Sequence, residues 1–474
     1  MARQGSKKSG TKRSKNRTSE PPPGPFVNSQ AAQDYLDSRV NFERSRVLNS
    51  ETFKLDRMGA LVKELGDPHL AVPVVHIAGS KGKGSTCAML ESSLRLSGYT
   101  TGLFTSPHLT DVRERVRING TMIDPDTFFQ ALAECKDAAS VIAKEHGHAT
   151  YFELITAVAF VVFAKLAVDL VILETGLGGR LDCTNVAQPM VVGLTDIQLE
   201  HTDVLGSTRS KIAAEKAGIM KRGVSAISVP QCDEVIEVFR EHAERIGADL
   251  SVLGDDILYT ARFQSTSTRS AHPNICVGSG DGCFEHMSVP LLGEHQGVNC
   301  GLALAIILKL REHGFDLPEQ QVIAGLGQTP RDGRLELVNE RPRVMIDGAH
   351  TPESVHQTLN AAAQEVGYDS MTVVFGCSSD KRIDEMLEHF KTRVDKVIFT
   401  QASKNPRAMN PAQLANRYTE LTDRSCNQCD TPIEAIRMAG KSLGPNDLLL
   451  VVGSFYLAGE VKALFEAKHA ASGR

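Results

Sequence analysis

Tryptophan is absent from the 474 residues, aromatic side chains make up only 5%, and no apolar run approaches the roughly 18 residues that a bilayer span requires. A membrane-spanning helix is thereby excluded. Cysteine occurs ten times but without pattern. Cys426-Asn-Gln-Cys429 is the single C-x-x-C pair, and no second pair or histidine stands at ligand spacing. Neither a zinc centre nor a disulfide framework is expected, and free thiols point to a reducing compartment. The apolar stretch of a secretory leader is also missing. Arg and Ser near the start faintly match a transit peptide, but no amphipathic apolar face accompanies them. The cytoplasm is the expected location.

The charge that is present is uneven. Residues 1–25 carry Arg3, Lys7, Lys8, Lys12, Arg13, Lys15 and Arg17 against Glu20 alone, then end in Pro21-Pro-Pro-Gly-Pro25. Such a basic, proline-rich stretch buries nothing and is expected to be disordered over about 1–28. Its net +6 set against the chain's −5 leaves −11 on the rest. An acidic remainder is a poor nucleic-acid binder. Hydrophobic content of 41% and charge content of 23% are those of a globular protein, and the length calls for two or three domains.

Chemistry is concentrated at Val74-Val-His-Ile-Ala-Gly79-Ser-Lys-Gly82-Lys83-Gly84-Ser85-Thr86. An apolar strand breaks there into glycines and lysines, and Cys87, Leu90 and Leu94 then follow at helical spacing. Strand, glycine-rich loop and helix in that order make a phosphate-binding loop: backbone N–H groups point inward, Lys83 reaches terminal phosphates, and the Ser85 hydroxyl is placed for magnesium. The common G-x-x-x-x-G-K-[ST] pattern is not met, since Gly84 follows Lys83 and the hydroxyl comes one residue late. A glycine-rich surface turn is the plainer alternative.

Further strand ends repeat the theme. Gly102–Leu109 is a strand that ends at Ser106-Pro107 and presents Ser106 and His108 at its carboxyl end, with an ordinary turn residue as the alternative reading of His108. Val168–Glu174 is a buried-strand pattern ending in a carboxylate and Thr-Gly-Leu-Gly-Gly-Arg-Leu-Asp182. Glu174 is thus placed beside the phosphate loop to hold or orient magnesium. Thr150-Tyr151-Phe152-Glu153 opens an apolar helix to about Leu166 and fits a capping box by itself. After a strand at Met190–Thr195 come Glu200-His201-Thr-Asp203 and Glu215-Lys216-Ala-Gly218. Taken singly, His201 reads as a structural histidine and Lys216 as a solvated helix charge. Helical spacing is read over about 30–66, while 230–290 reads as short peripheral strands and loops. A helix introduced by Gly293-Glu-His-Gln-Gly-Val-Asn299 ends near Gly314, and Gly325–Pro330 reads as a domain junction. Strands at Val344–Asp347, Met371–Phe375, Lys396–Thr400 and Asp447–Gly453 then alternate with helices at about 352–366, 382–393, 410–420 and 454–468. That is a second doubly wound α/β domain, with Arg334, Asp347 and His350 at its strand ends facing the first. The expected division is 29–328 and 329–474.

Over about residues 30–465 these motifs resemble folylpolyglutamate synthase and dihydrofolate synthase of the Mur ligase superfamily. The resemblance implies an α/β fold: an N-terminal, P-loop-containing ATPase domain with a parallel sheet, and a C-terminal Rossmann-like domain. It implies that Gly79, Gly82, Lys83, Gly84 and Ser85 hold ATP phosphates, that Asn299 contacts adenine, and that Arg334 and Asp347 close over phosphate and ribose. Ser106, Glu174 and His201 would be Mg²⁺ ligands, Lys216 the lysine this superfamily carbamylates, and His350 a neighbour of Asp347 in the cleft. Lys83, Lys216, Arg334 and His350 are the expected catalytic residues. Thr150, Tyr151, Phe152, Glu153, Asp182 and His108 would line the pterin side, with Thr52-Phe-Lys-Leu55 as a weaker motif there. The implied reaction joins L-glutamate, with ATP and Mg²⁺, to dihydropteroate or to a folate through an acyl phosphate, in a monomer. Retained pterin-side residues favour both activities over a folylpolyglutamate synthase alone. A nucleotide-dependent regulatory or RNA-associated P-loop protein is the alternative from another class. Where family loops often read Gly-Thr-Asn-Gly-Lys, this chain has Ser80-Lys81, which keeps the hydroxyl and adds a cation.

Overall fold

The computed structural model describes residues 25–42, 55–262, 273–279 and 282–472. The basic tail and Thr52–Lys54 lie outside the described residues. Two α/β sheets organise what remains.

The first sheet has eight strands: β1 (Val74–Ala78), β2 (Thr101–Phe104), β3 (Val116–Ile118), β4 (Thr121–Met122), β5 (Leu170–Glu174), β6 (Val191–Leu194), β7 (Ser225–Ser228) and β8 (Asp249–Val252). Their spatial order is β4-β3-β2-β5-β1-β6-β7-β8. From β2 to β8 every pairing is parallel, and β3 and β4 add an antiparallel edge. The central strands β1 and β5 are buried along their whole length because helices cover both faces. On one face lie the helices Leu55–Glu64, Pro125–His146 and Tyr151–Lys165. On the other lie Lys83–Leu96, Glu294–Glu312 and Glu319–Gly327. Each aliphatic side chain so enclosed contributes about 1.5–3 kcal/mol of apolar burial.

Several expectations are corrected here. The stretch read as peripheral contains the helix Asp233–Ile246, the sheet strand β8, and an antiparallel three-stranded sheet. That small sheet is built from β9 (Leu258–Arg262), β10 (Asn274–Ser279) and β11 (Gly282–Ser288). Its Ile275, Val277, Phe284 and Met287 share a core with Val75 and Ile77, so it roofs the helix Glu294–Glu312. The helix Glu319–Gly327 runs through Gly325, read from the sequence as the start of a junction, and packs on Lys83–Leu96. Over the described part of 30–66, helix covers Ser29–Asp37 and Leu55–Glu64.

The second sheet orders its strands β12-β13-β17-β14-β15-β16: β12 (Glu336–Asn339), β13 (Arg343–Ile346), β14 (Met371–Phe375), β15 (Lys396–Phe399), β16 (Asn427–Gln428) and β17 (Leu448–Val452). Only β12 is antiparallel to its neighbour. Helices Pro352–Glu365, Ile383–Glu388 and Pro411–Thr422 cover one face, and Pro432–Gly440 and Phe455–Ser472 the other. The helix expected to reach 393 stops at Glu388. Among the described residues no helix is long and apolar enough to cross a membrane.

Candidate active site

Ligand sites in open parallel sheets form beyond the carboxyl ends of the strands. Here those ends, from both sheets, face each other across a cleft of about 330 Å³. It is lined by Lys81–Ser85, Ser106, Glu174, His201 and Asn299 from one side, and by Arg334, Asp347 and His350 from the other. Eleven of the expected site residues are therefore brought together: Gly82, Lys83, Gly84, Ser85, Ser106, Glu174, His201, Asn299, Arg334, Asp347 and His350.

The loop after β1 is held from outside. Ser80 and Lys81 donate their N–H groups to the Asp196 carbonyl, at 2.8 and 3.2 Å. Lys83 Nζ donates to the Gly79 carbonyl at 2.9 Å, and the buried Lys216 Nζ to the same oxygen at 2.7 Å. Gly82 sits at φ +92°, and a Cβ there would fall 2.1 Å from Asn299 Oδ1. Only glycine meets both the backbone angle and that approach. A Cβ on Gly84 would lie 2.3 Å from Arg334 Nη2 and 3.6 Å from Glu174 Oε1. An arginine from one sheet and a carboxylate from the other thus converge on the loop.

Electrostatics follow burial. Glu174 is buried and accepts the Ser106 N–H at 3.0 Å. Desolvation raises its pKa, against the pull of Lys83, the Ser106 N–H and Arg334. Desolvation likewise lowers the Lys216 pKa to about 7, with the Lys83 charge acting in the same direction. His350 Nδ1 lies 2.8 Å from the Gly348 carbonyl. A carbonyl only accepts, so Nδ1 carries the proton and Nε2 keeps a lone pair. Burial, with Lys81 and Lys381 behind it, holds that ring's pKa well below the usual value. Asp347 accepts from Leu335 N at 2.9 Å, Ala349 N at 2.7 Å and Thr358 Oγ1 at 3.2 Å, which fixes the loop around His350.

The residues expected on the pterin side, Thr150 to Glu153, Asp182 and His108, are not part of the cleft lining. Thr150 and Glu153 form a reciprocal capping box at the start of Tyr151–Lys165, and Glu153 also takes Arg57 Nε at 2.8 and 2.9 Å. Asp182 is buried and spent on the N–H groups of Gly176, Leu177 and Thr184 and on the Thr184 hydroxyl, so it clamps the glycine-rich turn. Phe152 packs against Phe104 and Gly176, the latter a cleft residue. His108 Nδ1 accepts from Arg115 Nε at 2.9 Å. Sequence reading missed the cleft residues His295, Gln296, Lys381 and Arg407. Lys381 follows the carboxyl end of β14, so the strand-end rule that found Glu174 also points to it. Among the described residues no three His, Cys, Asp or Glu side chains form a metal cluster.

A glycine–lysine loop at the strand ends of one sheet, met by an arginine from the other side of the cleft, makes a phosphoryl-handling site between two α/β halves, and similarity assigns that site to the Mur ligases. Family models agree: the Mur ligase middle domain matches residues 77–307, and the Mur ligase, glutamate ligase domain matches 333–455. The Bacillus subtilis dihydrofolate synthase/folylpolyglutamate synthase is 33% identical over 440 residues, 92% of this chain and 99% of that protein. Escherichia coli FolC in complex with DHPP and ADP superposes with a TM-score of 0.79 at 29% identity, covering 95% of this chain and 100% of that one. A bifunctional folylpolyglutamate synthase/dihydrofolate synthase from Yersinia pestis, complexed with AMPPNP and a Mn ion, gives 0.78 at 28%, covering 94% and 100%. The chain belongs to the dihydrofolate synthase/folylpolyglutamate synthase family.

Proposed function

We propose that this protein is an ATP-dependent ligase that adds L-glutamate to dihydropteroate and to the γ-carboxyl of folates through an acyl phosphate. The observation that carries this is the meeting of Arg334 and Glu174 at Gly84, from separate sheets, over a phosphate-type loop. A carboxylate does not acylate amines at neutral pH. Transfer of a γ-phosphoryl group to its oxygen makes inorganic phosphate the leaving group when the glutamate amine attacks the acyl carbon. Such transfer asks for alignment and neutralised charge more than for covalent help.

In this reading the N–H groups of Gly82–Ser85, at the start of the helix, cradle phosphates, Lys83 turns from the Gly79 carbonyl to meet them, and Arg334 stabilises charge from the second domain. Asn299 faces adenine and Asp347 the ribose. His350 Nε2, unprotonated, accepts an N–H of the incoming amine. Mg²⁺ takes oxygen ligands, keeps waters and binds through one or two carboxylates plus phosphates. Buried Glu174 beside Ser106 fits that demand without a larger cluster, whereas the imidazole of His201 is the donor least matched to a hard cation. Bound there, the metal would neutralise phosphate charge. With its pKa lowered to about 7 by burial, the Lys216 amine loses its proton near neutral pH, the form that carbamylation by CO₂ requires. Tyr151, Phe152 and His108 line the pterin side, with Thr150, Glu153 and Asp182 shaping it. Domains 29–328 and 329–474, one copy, and the cytoplasm complete the reading.

The test is glutamate incorporation assayed side by side with dihydropteroate and tetrahydrofolate. Both are expected to be used, and Lys83→Ala and Glu174→Ala each to lose at least ~10²-fold in kcat. Unchanged turnover in Lys83→Ala removes the loop from the mechanism, and turnover of tetrahydrofolate alone leaves one activity.

A further inference from the structure

Between β2 and β3 the chain makes a loop that begins at Ser106 and Pro107 in the cleft and ends outside it. Glu114 fixes its inner side by accepting the N–H groups of Leu109, Thr110 and Asp111 at 2.8, 2.9 and 2.8 Å. The outer side belongs to the other domain. Leu109 packs against the second sheet's core, the cluster that holds Val344, Ile346, Leu457 and Val461. Its carbonyl oxygen lies 2.0 Å from where a Cβ on Gly459 would stand, so the helix Phe455–Ser472 touches the loop backbone directly. One turn earlier Phe455 covers Gly348 and lies 6.1 Å, centroid to centroid, from His350. A single helix therefore touches the loops bearing Ser106 and His350.

A charged brace ties the same place. Asp332, in the segment joining the sheets, takes Arg117 of β3 at 2.7 Å and Lys462 of that helix at 3.3 Å, and Lys462 also reaches Glu336 at 2.7 Å. Across the sheet, beyond β6, the two halves are separated by a second cavity of about 290 Å³ between Gln198 and Arg209 on one wall and Glu353 and Arg382 on the other. The domains thus touch directly on the β2–β3 side and enclose a cavity on the β6–β7 side.

We propose that Leu109 and Gly459 form the pivot of domain closure, with Leu109 a positioning residue that holds Ser106 at its working distance from His350. The pivot stays made while the β6–β7 side opens and closes. This rests on the ligase reading above.

The test uses the full chain and measures kcat, KM for ATP and, separately, nucleotide Kd by titration. Leu109→Ala and Gly459→Ala are each expected to lower kcat at least tenfold with nucleotide Kd within threefold, while Leu109→Met stays near wild type. Because the Gly459 contact is to backbone, truncating Leu109 in the Gly459→Ala background restores nothing. Leu109→Val gives the same direction of change should Leu109→Ala fail to fold. Unchanged kcat in Leu109→Ala or Leu109→Val, or parallel losses in kcat and nucleotide affinity, overturns the pivot. A wild type that incorporates no glutamate overturns the ligase reading instead.

Discussion

The amine of Lys216 is buried beneath the phosphate-type loop with a carbonyl, rather than a carboxylate, as its hydrogen-bond partner. Burying an ammonium this way costs stability, and the cost appears as a pKa lowered from 10.5 to about 7, first by desolvation and then by Lys83. Between those two values the unfolded chain holds the proton that the folded chain has released. Stability therefore rises with pH across that window, by at most ~1.4 kcal/mol per pH unit from this group, and the full penalty applies below about 7. Urea unfolding of wild type and Lys216→Met between pH 6.5 and 9.5, in CO₂-free buffer, is expected to show a shallower rise in the variant. Identical slopes would mean that Lys216 titrates normally. The same position ties stability to chemistry: Lys216→Ala is expected to regain part of its glutamate incorporation when short carboxylates are added, because they supply the anion a carbamylated lysine would.

Elements rather than single residues decide what the pterin-side motif does. In Thr150–Glu153 the first and last side chains cap the helix, and Glu153 also holds Arg57, while Phe152 turns toward Gly176 at the cleft edge. Glu153→Gln is therefore expected to lower stability by about 1–3 kcal/mol with KM for dihydropteroate within twofold. Phe152→Ala is expected to raise that KM at least fivefold. The reverse pattern, a KM effect at Glu153 and none at Phe152, would move the wall to the other side of the helix. This division was half legible in the sequence, where the capping box and the pterin motif are the same four letters and only the fold separates them. Legibility elsewhere followed pattern strength. Continuous apolar strands such as β5 and strand-end residues such as Glu174 stood out, whereas the helix Asp233–Ile246 passed unread although Val235, Phe239 and Ala243 give it an apolar stripe at four-residue spacing. The sheet β9–β11 buries one face through long-range pairing with the helix Glu294–Glu312, which local periodicity does not encode. Helix Pro125–His146 carries its own signals, Asp124-Pro125 at the start and Gly147 at the end, and passed unread.

At the scale of the whole molecule the two sheets bring opposite charges to one point, Glu174 from the first and Arg334 from the second, with Gly84 between them. The second half is anchored there through short ties: Gly348 N donates to Gly333 O at 2.9 Å, and Asp347 holds Leu335 and Ala349. A ligand that draws Arg334 inward should therefore stiffen 333–350 as well as the loop it binds. Hydrogen exchange with Mg²⁺ and a non-hydrolysable ATP analogue is expected to slow at Gly79–Ser85 and at Gly333–His350 together, although the two stretches share no sheet. In Arg334→Ala the first stretch should still be protected, because Lys83 and the loop N–H groups are intact, and the second should exchange as in the free protein. Protection confined to Gly79–Ser85 in wild type would mean that nucleotide binds one domain alone, and the clamp would then have to form with the folate or glutamate instead.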